Sequence, residues 1–236
     1  MNESTRHVDL LNAFDKQGCP ICMMVRRDTK RDMDILMLER INKVETHLKF
    51  RDGRGLCNAH AWHIKEARGG SLSIAVMYDS TMLQLMKDLN HSGGSGGSFR
   101  LFGGKQGAGV SLANALEPAG MCLVCEGMNK NEDAYVSIIA ENVQDEKLQS
   151  AYHASEGGIC LPHVRLVLRK LASQRDIDTL MALQKAKWDE LQADLQLFIE
   201  KNEDNIPQSA MGKEGDSWQR AIRYLSGEED IFGFVR

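Results

Sequence analysis

Residues 19–60 begin with Cys-Pro-Ile-Cys (Cys19 to Cys22) and end with Gly-Leu-Cys-Asn-Ala-His (Gly55 to His60). Residues 122–163 have the same arrangement, with Cys-Leu-Val-Cys at the start and Gly-Ile-Cys-Leu-Pro-His at the end. Each Cys or His of the first set of motifs is followed by the same residue type 103 positions later. This repeat uses all six cysteines of the chain and predicts an internal duplication of a unit of about 103 residues.

These motifs have the residue types and spacings of a closed zinc site. A Cys-x-x-Cys turn can direct two sulfurs at one ion, and a Cys-x-x-His pair at a helix start places both side chains on one helix face. Three thiolates and one imidazole are a standard tetrahedral zinc set. We therefore predict two Zn²⁺ sites, one in each half of the chain. The first would use Cys19, Cys22, Cys57 and His60, and the second Cys122, Cys125, Cys160 and His163.

Hydrophobic spacing predicts an all-α fold. Apolar residues follow steps of three and four from about Ile21 to Phe50, and a second helical pattern runs from Cys122 to about Leu148. In each half, the Cys-x-x-His pair begins 35 positions after the Cys-x-x-Cys pair ends. A straight helix of ~30 residues would run ~45 Å and could not bring the two pairs together. We therefore expect a break between residues 23 and 55, near Asp28–Met33 or at Asn42–Lys43.

The repeat also predicts the domain organisation. We expect residues 1–92 to form a first helical metal-binding repeat, and residues 110–236 to form a second one with a C-terminal helical extension. Residues 93–109, between them, are rich in glycine and serine, which is typical of a flexible loop. The predicted architecture is thus two duplicated helical halves, each held by a Cys₃His metal site.

Composition and charge exclude several classes of protein. The chain has 29 Lys and Arg against 33 Asp and Glu, a formal net charge of −4, which argues against a general nucleic-acid binder. No apolar run reaches the ~18 residues that a membrane span needs. The N-terminus lacks the apolar core of a signal peptide. We expect a cytoplasmic protein, where cysteines serve as metal ligands or catalysts more often than as disulfides.

Two other uses of these cysteines stay open at this point. Cys-x-x-Cys spacing also serves iron–sulfur clusters, which would make the protein an electron carrier or a cluster-handling protein, although four cysteines are the commoner cluster set. Cys19-Pro-Ile-Cys22 taken alone resembles a thiol–disulfide redox motif, but the βαβ pattern that usually surrounds such a motif is missing.

The sequence favours a binding or structural role over catalysis. A catalytic zinc keeps one coordination position open, whereas each predicted site has four protein ligands. No Ser/His/Asp set, zinc-protease motif or paired-carboxylate motif stands out. We therefore expect a non-catalytic zinc protein that acts as a scaffold or as an accessory subunit and binds protein partners.

The motifs also resemble those of an uncharacterised prokaryotic domain-of-unknown-function family. The resemblance rests on the duplicated Cys-Pro-x-Cys and Gly-x-Cys-x-x-His motifs and on the C-terminal stretch WQRAIRYLSG at residues 218–227. It covers nearly the whole chain, with Leu123 in place of proline in the second Cys-x-x-Cys pair. It implies metal binding and no known activity.

Overall fold

The computed structural model describes residues 3–65, 70–93, 108–204, 206–229 and 231. All regular secondary structure in these ranges is helical, which confirms the all-α prediction. The α-helices are α1 (Glu3–Ala13), α2 (Pro20–Ile35), α3 (Val44–Asp52), α4 (Asn58–Lys65), α5 (Ser71–Gly93), α6 (Ala108–Leu116), α7 (Leu123–Glu141), α8 (Glu146–Ala154), α9 (Leu161–Lys170), α10 (Gln174–Glu203) and α11 (Ser217–Ser226). None of the helices in the described ranges is long and apolar enough to cross a membrane.

The helix starts follow the offset that the motifs predict. Helices α2, α4 and α5 begin 103 residues before α7, α9 and α10, and α3 begins within one residue of that offset from α8. Helix α1 likewise ends 103 residues before the end of α6. The two halves of the chain therefore share one order of elements: a first helix, a Cys-x-x-Cys helix, a short helix, a Cys-x-x-His helix and a long helix.

The expected break after the first Cys-x-x-Cys pair is present. Helix α2 continues into a wider π-helical turn at Leu36–Arg40, and α3 starts only after Lys43, whose backbone is extended. The break therefore lies at Asn42–Lys43, one of the two predicted positions. The second half contains a break that the helical pattern from Cys122 to Leu148 did not predict. There Asp145 caps α8, since its Oδ1 accepts hydrogen bonds from the backbone N–H groups of Lys147 and Leu148.

The chain divides into two compact units that differ from the sequence halves. Unit 1 consists of residues 1–28 and 130–236, and unit 2 consists of residues 29–129. The boundaries fall inside α2 and α7, so both of these helices belong partly to each unit. The boundaries that the sequence predicts, on either side of residues 93–109, stay a prediction, since residues 94–107 lie outside the described part of the chain.

Unit 1 has an aromatic and aliphatic core. Tyr135, Tyr152 and Phe14 are almost completely buried, and the rings of Phe14 and Tyr152 lie 5.3 Å apart, which ties the N-terminal segment to α8. Helix α11 adds Tyr224 and the buried guanidinium of Arg220, which forms ion pairs with Asp194 and Asp216. Aliphatic side chains complete this core: Leu10, Ile21, Val25, Ile139, Leu148, Ile159, Val164 and Leu180.

Unit 2 has a separate core next to its own Cys and His residues. Phe50 and Met77 are its most buried large side chains, and the ring of Tyr78 packs edge-on against Phe50 at 4.9 Å. Helices α3 and α6 both pack against α5. The remaining buried members of this cluster are Leu36, Ile41, Leu56, Cys57, Ile64, Cys122 and Val124.

Candidate metal centres

The eight predicted ligands form two Cys₃His groups, but their grouping differs from the prediction. The structure brings Cys-x-x-Cys of one sequence half to Cys-x-x-His of the other. In each group, the four ligand atoms lie within 4.8 Å of one another. We call Cys19, Cys22, Cys160 and His163 the first centre, and Cys57, His60, Cys122 and Cys125 the second centre.

The first centre lies wholly within unit 1, where two helix starts meet. Cys19 precedes α2, and its carbonyl oxygen accepts the first helical hydrogen bond from Met23 at 3.0 Å. Cys160 has the same position before α9, with an extended backbone and a 2.9 Å bond from Val164 to its carbonyl oxygen. Cys22 and His163 follow one turn later, so all four side chains lie in the first turns of helices. Free N–H groups and the helix dipole favour thiolates there.

The spacing of the ligand atoms in the first centre fits a single tetrahedral ion. Nδ1 of His163 lies 3.4, 3.5 and 3.1 Å from the Sγ atoms of Cys19, Cys22 and Cys160. The Sγ atoms of Cys22 and Cys160 are 3.7 Å apart. Zinc with ordinary bond lengths would separate two sulfurs by ~3.8 Å and a sulfur from a nitrogen by ~3.6 Å. These four separations are within ~0.5 Å of the values for one tetrahedral metal ion.

Glu132 completes the first centre, although no sequence motif indicated it. Nε2 of His163 lies 3.1 Å from Oε1 of Glu132 on α7, while Nδ1 faces the three sulfurs. With Nδ1 as the ligand atom, the hydrogen is on Nε2 and the ring donates it to the carboxylate. Such a carboxylate fixes the tautomer and ring orientation of a zinc-bound histidine and increases its basicity. The role of Glu132 as the hydrogen-bond partner of His163 could not be inferred from the sequence motifs and became evident only in the structure.

The protonation equilibria of the first centre favour one thiolate, at Cys19, beside a protonated His163, while the pKa of Cys160 is raised by its hydrogen bond with Cys19. Burial raises the pKa of Cys19. Hydrogen bonds from Cys160 and Cys22 and the charge of His163 together lower this pKa by more, so that it lies well below its ordinary value. Hydrogen bonds with Cys160 and Cys19 raise the pKa of Cys22. Although burial lowers the pKa of His163, the Cys19 thiolate and hydrogen bonds raise it to about 12. A divalent cation would replace the protons that these groups share.

The second centre lies wholly within unit 2 and repeats this local geometry. Cys57 precedes α4 and Cys122 precedes α7, and their carbonyl oxygens accept helical bonds of 2.9 Å from Ala61 and Glu126. Nδ1 of His60 lies 3.2, 3.7 and 3.3 Å from the sulfurs of Cys57, Cys122 and Cys125. The Sγ atoms of Cys57 and Cys125 are 3.6 Å apart. These distances also fit one tetrahedral ion.

A glycine with a positive φ precedes the Cys-x-x-His pair in both centres. Gly55 has φ +94° and Gly158 has φ +68°, in the left-handed region that favours glycine. A Cβ on Gly158 would lie only 2.4 Å from the ring of Tyr152. The glycine of each Gly-x-Cys-x-x-His motif therefore makes the turn that leads into the ligand helix, and Gly158 also allows close packing.

The within-half pairing is wrong, and both Cys-x-x-Cys helices begin in one unit and end in the other. From Cys22 to Ile35, α2 rises ~20 Å before the π-helical turn begins. It starts in unit 1 and ends in unit 2, and α7 runs from unit 2 into unit 1. The break at Asn42–Lys43 therefore lies in the other unit, too late to return Cys57 to the first centre. The motif spacing is the same in both halves, so it could not reveal this exchange.

His63 is separate from the ligand groups. Its ring centroid lies 6.4 Å from that of His60. Neither of the Cys/His groups found among the described residues includes it. This agrees with the sequence, where His63 has no counterpart at position 166.

Comparison with known proteins places the chain in a family. A family model described as a family of unknown function, DUF6062, matches residues 1–231. The chain therefore belongs to this family, which confirms the resemblance seen in the motifs. No curated protein and no solved structure matches the chain.

Proposed function

We propose that this protein is a non-catalytic zinc protein with two structural Cys₃His sites and that it acts as a scaffold or accessory subunit of a protein complex. One observation carries this proposal: two separate groups of three sulfurs and one nitrogen, each with tetrahedral spacing. Such a group offers four protein ligands to one ion and leaves no position for a substrate. The six cysteines are free of disulfides, which supports a cytoplasmic location.

The distances between ligand atoms favour zinc over an iron–sulfur cluster. The hydrogen-bond-length contacts of 3.1–3.7 Å within each group suit atoms that converge on one metal ion. Ligands of a cluster are bound to different irons and are therefore held further apart. The same convergence argues against a thiol–disulfide enzyme, because each Cys-x-x-Cys pair faces a third cysteine and a histidine.

The exposed surface of α5 supports the protein-binding part of the proposal. Five large apolar residues on this helix are more than half exposed: Leu72, Val76, Met82, Leu83 and Met86. Leu72 and Val76, and likewise Met82 and Met86, are four positions apart and are therefore neighbours on the helix surface. Clustered exposed apolar side chains are typical of protein interaction sites.

Metal analysis tests the proposal directly. Mass spectrometry of the untagged protein, purified without oxygen, should find two zinc ions per chain, one for each group, and the protein should be colourless. Removal of zinc with a chelator should reduce the helical circular dichroism signal, because a structural zinc contributes on the order of 10 kcal/mol of apparent folding free energy. Several irons with bound sulfide, or a metal-free protein with an unchanged melting curve, would contradict the proposal.

A further inference from the structure

We propose that the two centres differ in reactivity, and that the second centre releases its zinc when a peroxide oxidises Cys57 and Cys125 to a disulfide. The first centre keeps its zinc under the same conditions. This inference rests on the proposed zinc binding and adds a redox-controlled function to one of the two sites. It follows from differences between the centres in burial and in hydrogen bonding, because the cross-motif sulfurs are equally close in both, 3.7 Å apart in the first and 3.6 Å apart in the second.

Burial separates the two centres. The four residues of the first centre are completely buried, each with 0% of its surface exposed: Cys19, Cys22, Cys160 and His163. In the second centre, Cys57 and Cys122 each retain 9% exposure, and Cys125 is only half-buried. Since a peroxide must touch the sulfur that it oxidises, the second centre is the accessible one.

Hydrogen bonding to the histidine also separates them. Glu132 accepts a hydrogen bond from His163 and holds this ligand in place. In the described part of the chain, no carboxylate takes the corresponding position beside His60. Loss of such a partner typically weakens metal affinity 10- to 100-fold. The second centre is therefore expected to hold its ion less tightly as well as to be more exposed.

The sulfurs of Cys57 and Cys125 are placed for a disulfide. They are 3.6 Å apart and come from different motifs, at the start of α4 and in the first turn of α7. One thiolate attacks the peroxide, so that an S–O bond forms, the O–O bond breaks and hydroxide leaves. The second thiolate then attacks this sulfur, so that an S–S bond forms and the S–O bond breaks. Two thiolates lose two electrons, and hydrogen peroxide with two protons becomes two waters.

Oxidation would leave the ion with too few ligands. Only Cys122 and His60 would remain, and two donors do not hold zinc in a closed site. Reduction of the disulfide restores both thiolates, so the change is reversible. The first centre would meanwhile hold unit 1 together.

A titration of the zinc-loaded full chain with hydrogen peroxide tests this inference. Released zinc is followed with a chromogenic chelator, and the oxidised peptides are mapped by mass spectrometry. We expect half of the bound zinc to leave at least about ten-fold faster than the rest. The early phase should coincide with a Cys57–Cys125 disulfide and reverse when a reductant and zinc are added.

Two matched variants assign the phases. Cys57→Ala and Cys160→Ala change equivalent positions of the repeat, one in each centre. The early phase should be absent from Cys57→Ala and present in Cys160→Ala. If either variant does not fold, the peptide map of the unmodified chain still shows which centre contains the disulfide.

The possible failures are distinguishable. Simultaneous release of all the zinc, or a disulfide that maps to the first centre, would overturn this inference while leaving zinc binding intact. A chain that contains no zinc before peroxide is added would overturn the proposed function itself.

Discussion

Two double substitutions distinguish the observed grouping of ligands from the grouping within each sequence half. Cys22 and Cys160 belong to one centre, whereas Cys22 and Cys57 belong to different centres. The chain with Cys22→Ser and Cys160→Ser should therefore retain half of its zinc, since both changes damage the same site. The chain with Cys22→Ser and Cys57→Ser should lose both ions. Within-half pairing predicts the reverse result for both chains.

The stability changes should follow the same logic. Loss of one structural zinc removes on the order of 10 kcal/mol of apparent folding free energy, and the second substitution at an already damaged centre adds little. The length of the chain segment that each centre closes adds a smaller difference in stabilisation between the two centres. The first centre joins Cys22 to Cys160, 138 residues apart, and the second joins Cys57 to Cys125, 68 residues apart. Since a doubling of loop length is worth ~0.6 kcal/mol, the first centre should stabilise its unit by about that much more.

Mass spectrometry gives the zinc content of each chain, and urea unfolding followed by circular dichroism gives its stability. The single Cys22→Ser chain is the reference for both double variants. If Cys22→Ser with Cys160→Ser removes all the zinc while Cys22→Ser with Cys57→Ser retains half, the grouping described for the structure is wrong.

Three further predictions test individual side chains. Glu132→Gln should weaken zinc binding at the first centre about 10- to 100-fold and leave the second unchanged, as competition with a chelator would show. Glu214→Gln should destabilise the protein near neutral pH, because an ion pair with Lys201 lowers the pKa of Glu214 to about 2. Since stability from a lowered carboxyl pKa is lost as pH falls, the difference between the two chains should shrink from pH 4.5 down to about 2 in urea unfolding curves. Gly158→Ala should cost more than about 2 kcal/mol, whereas Gly109→Ala, which has open space around it, should be neutral or stabilising in the same thermal melts.

Helix content and the residues of the two Cys₃His groups could be predicted from the sequence because both depend on local patterns. The steps of three and four in apolar residues around α2 and α3 indicate helices directly, and the extended backbone at Lys43 agrees with the expected break. The Cys and His spacing indicated all eight residues that form the two groups. The unpredicted break before α8 depends on the Asp145 cap, which interrupts a pattern that is otherwise compatible with one helix.

The grouping of ligands could not be predicted because the motifs are chemically equivalent. Cys160 and Cys57 occupy the same motif position, so either can complete a site with Cys22. The choice depends on where α2 and α7 lead the chain, which is tertiary information. Glu132 was missed for the same reason, since its contact with His163 depends on how the middle of α7 packs against the start of α9.

The division of the chain into a contiguous unit 2 and a split unit 1 imposes an order on the two centres during synthesis. All ligands of the second centre are present once Cys125 has been translated, whereas Cys19 and Cys22 wait for His163. At 5–20 residues per second, the 138 residues from Cys22 to Cys160 take roughly 7–28 s to add. During that interval the nascent chain carries Cys19 and Cys22 without the other two residues of their centre. The second centre therefore has all four of its Cys and His residues while the first has only two, and α10 and α11 of unit 1 are added after His163.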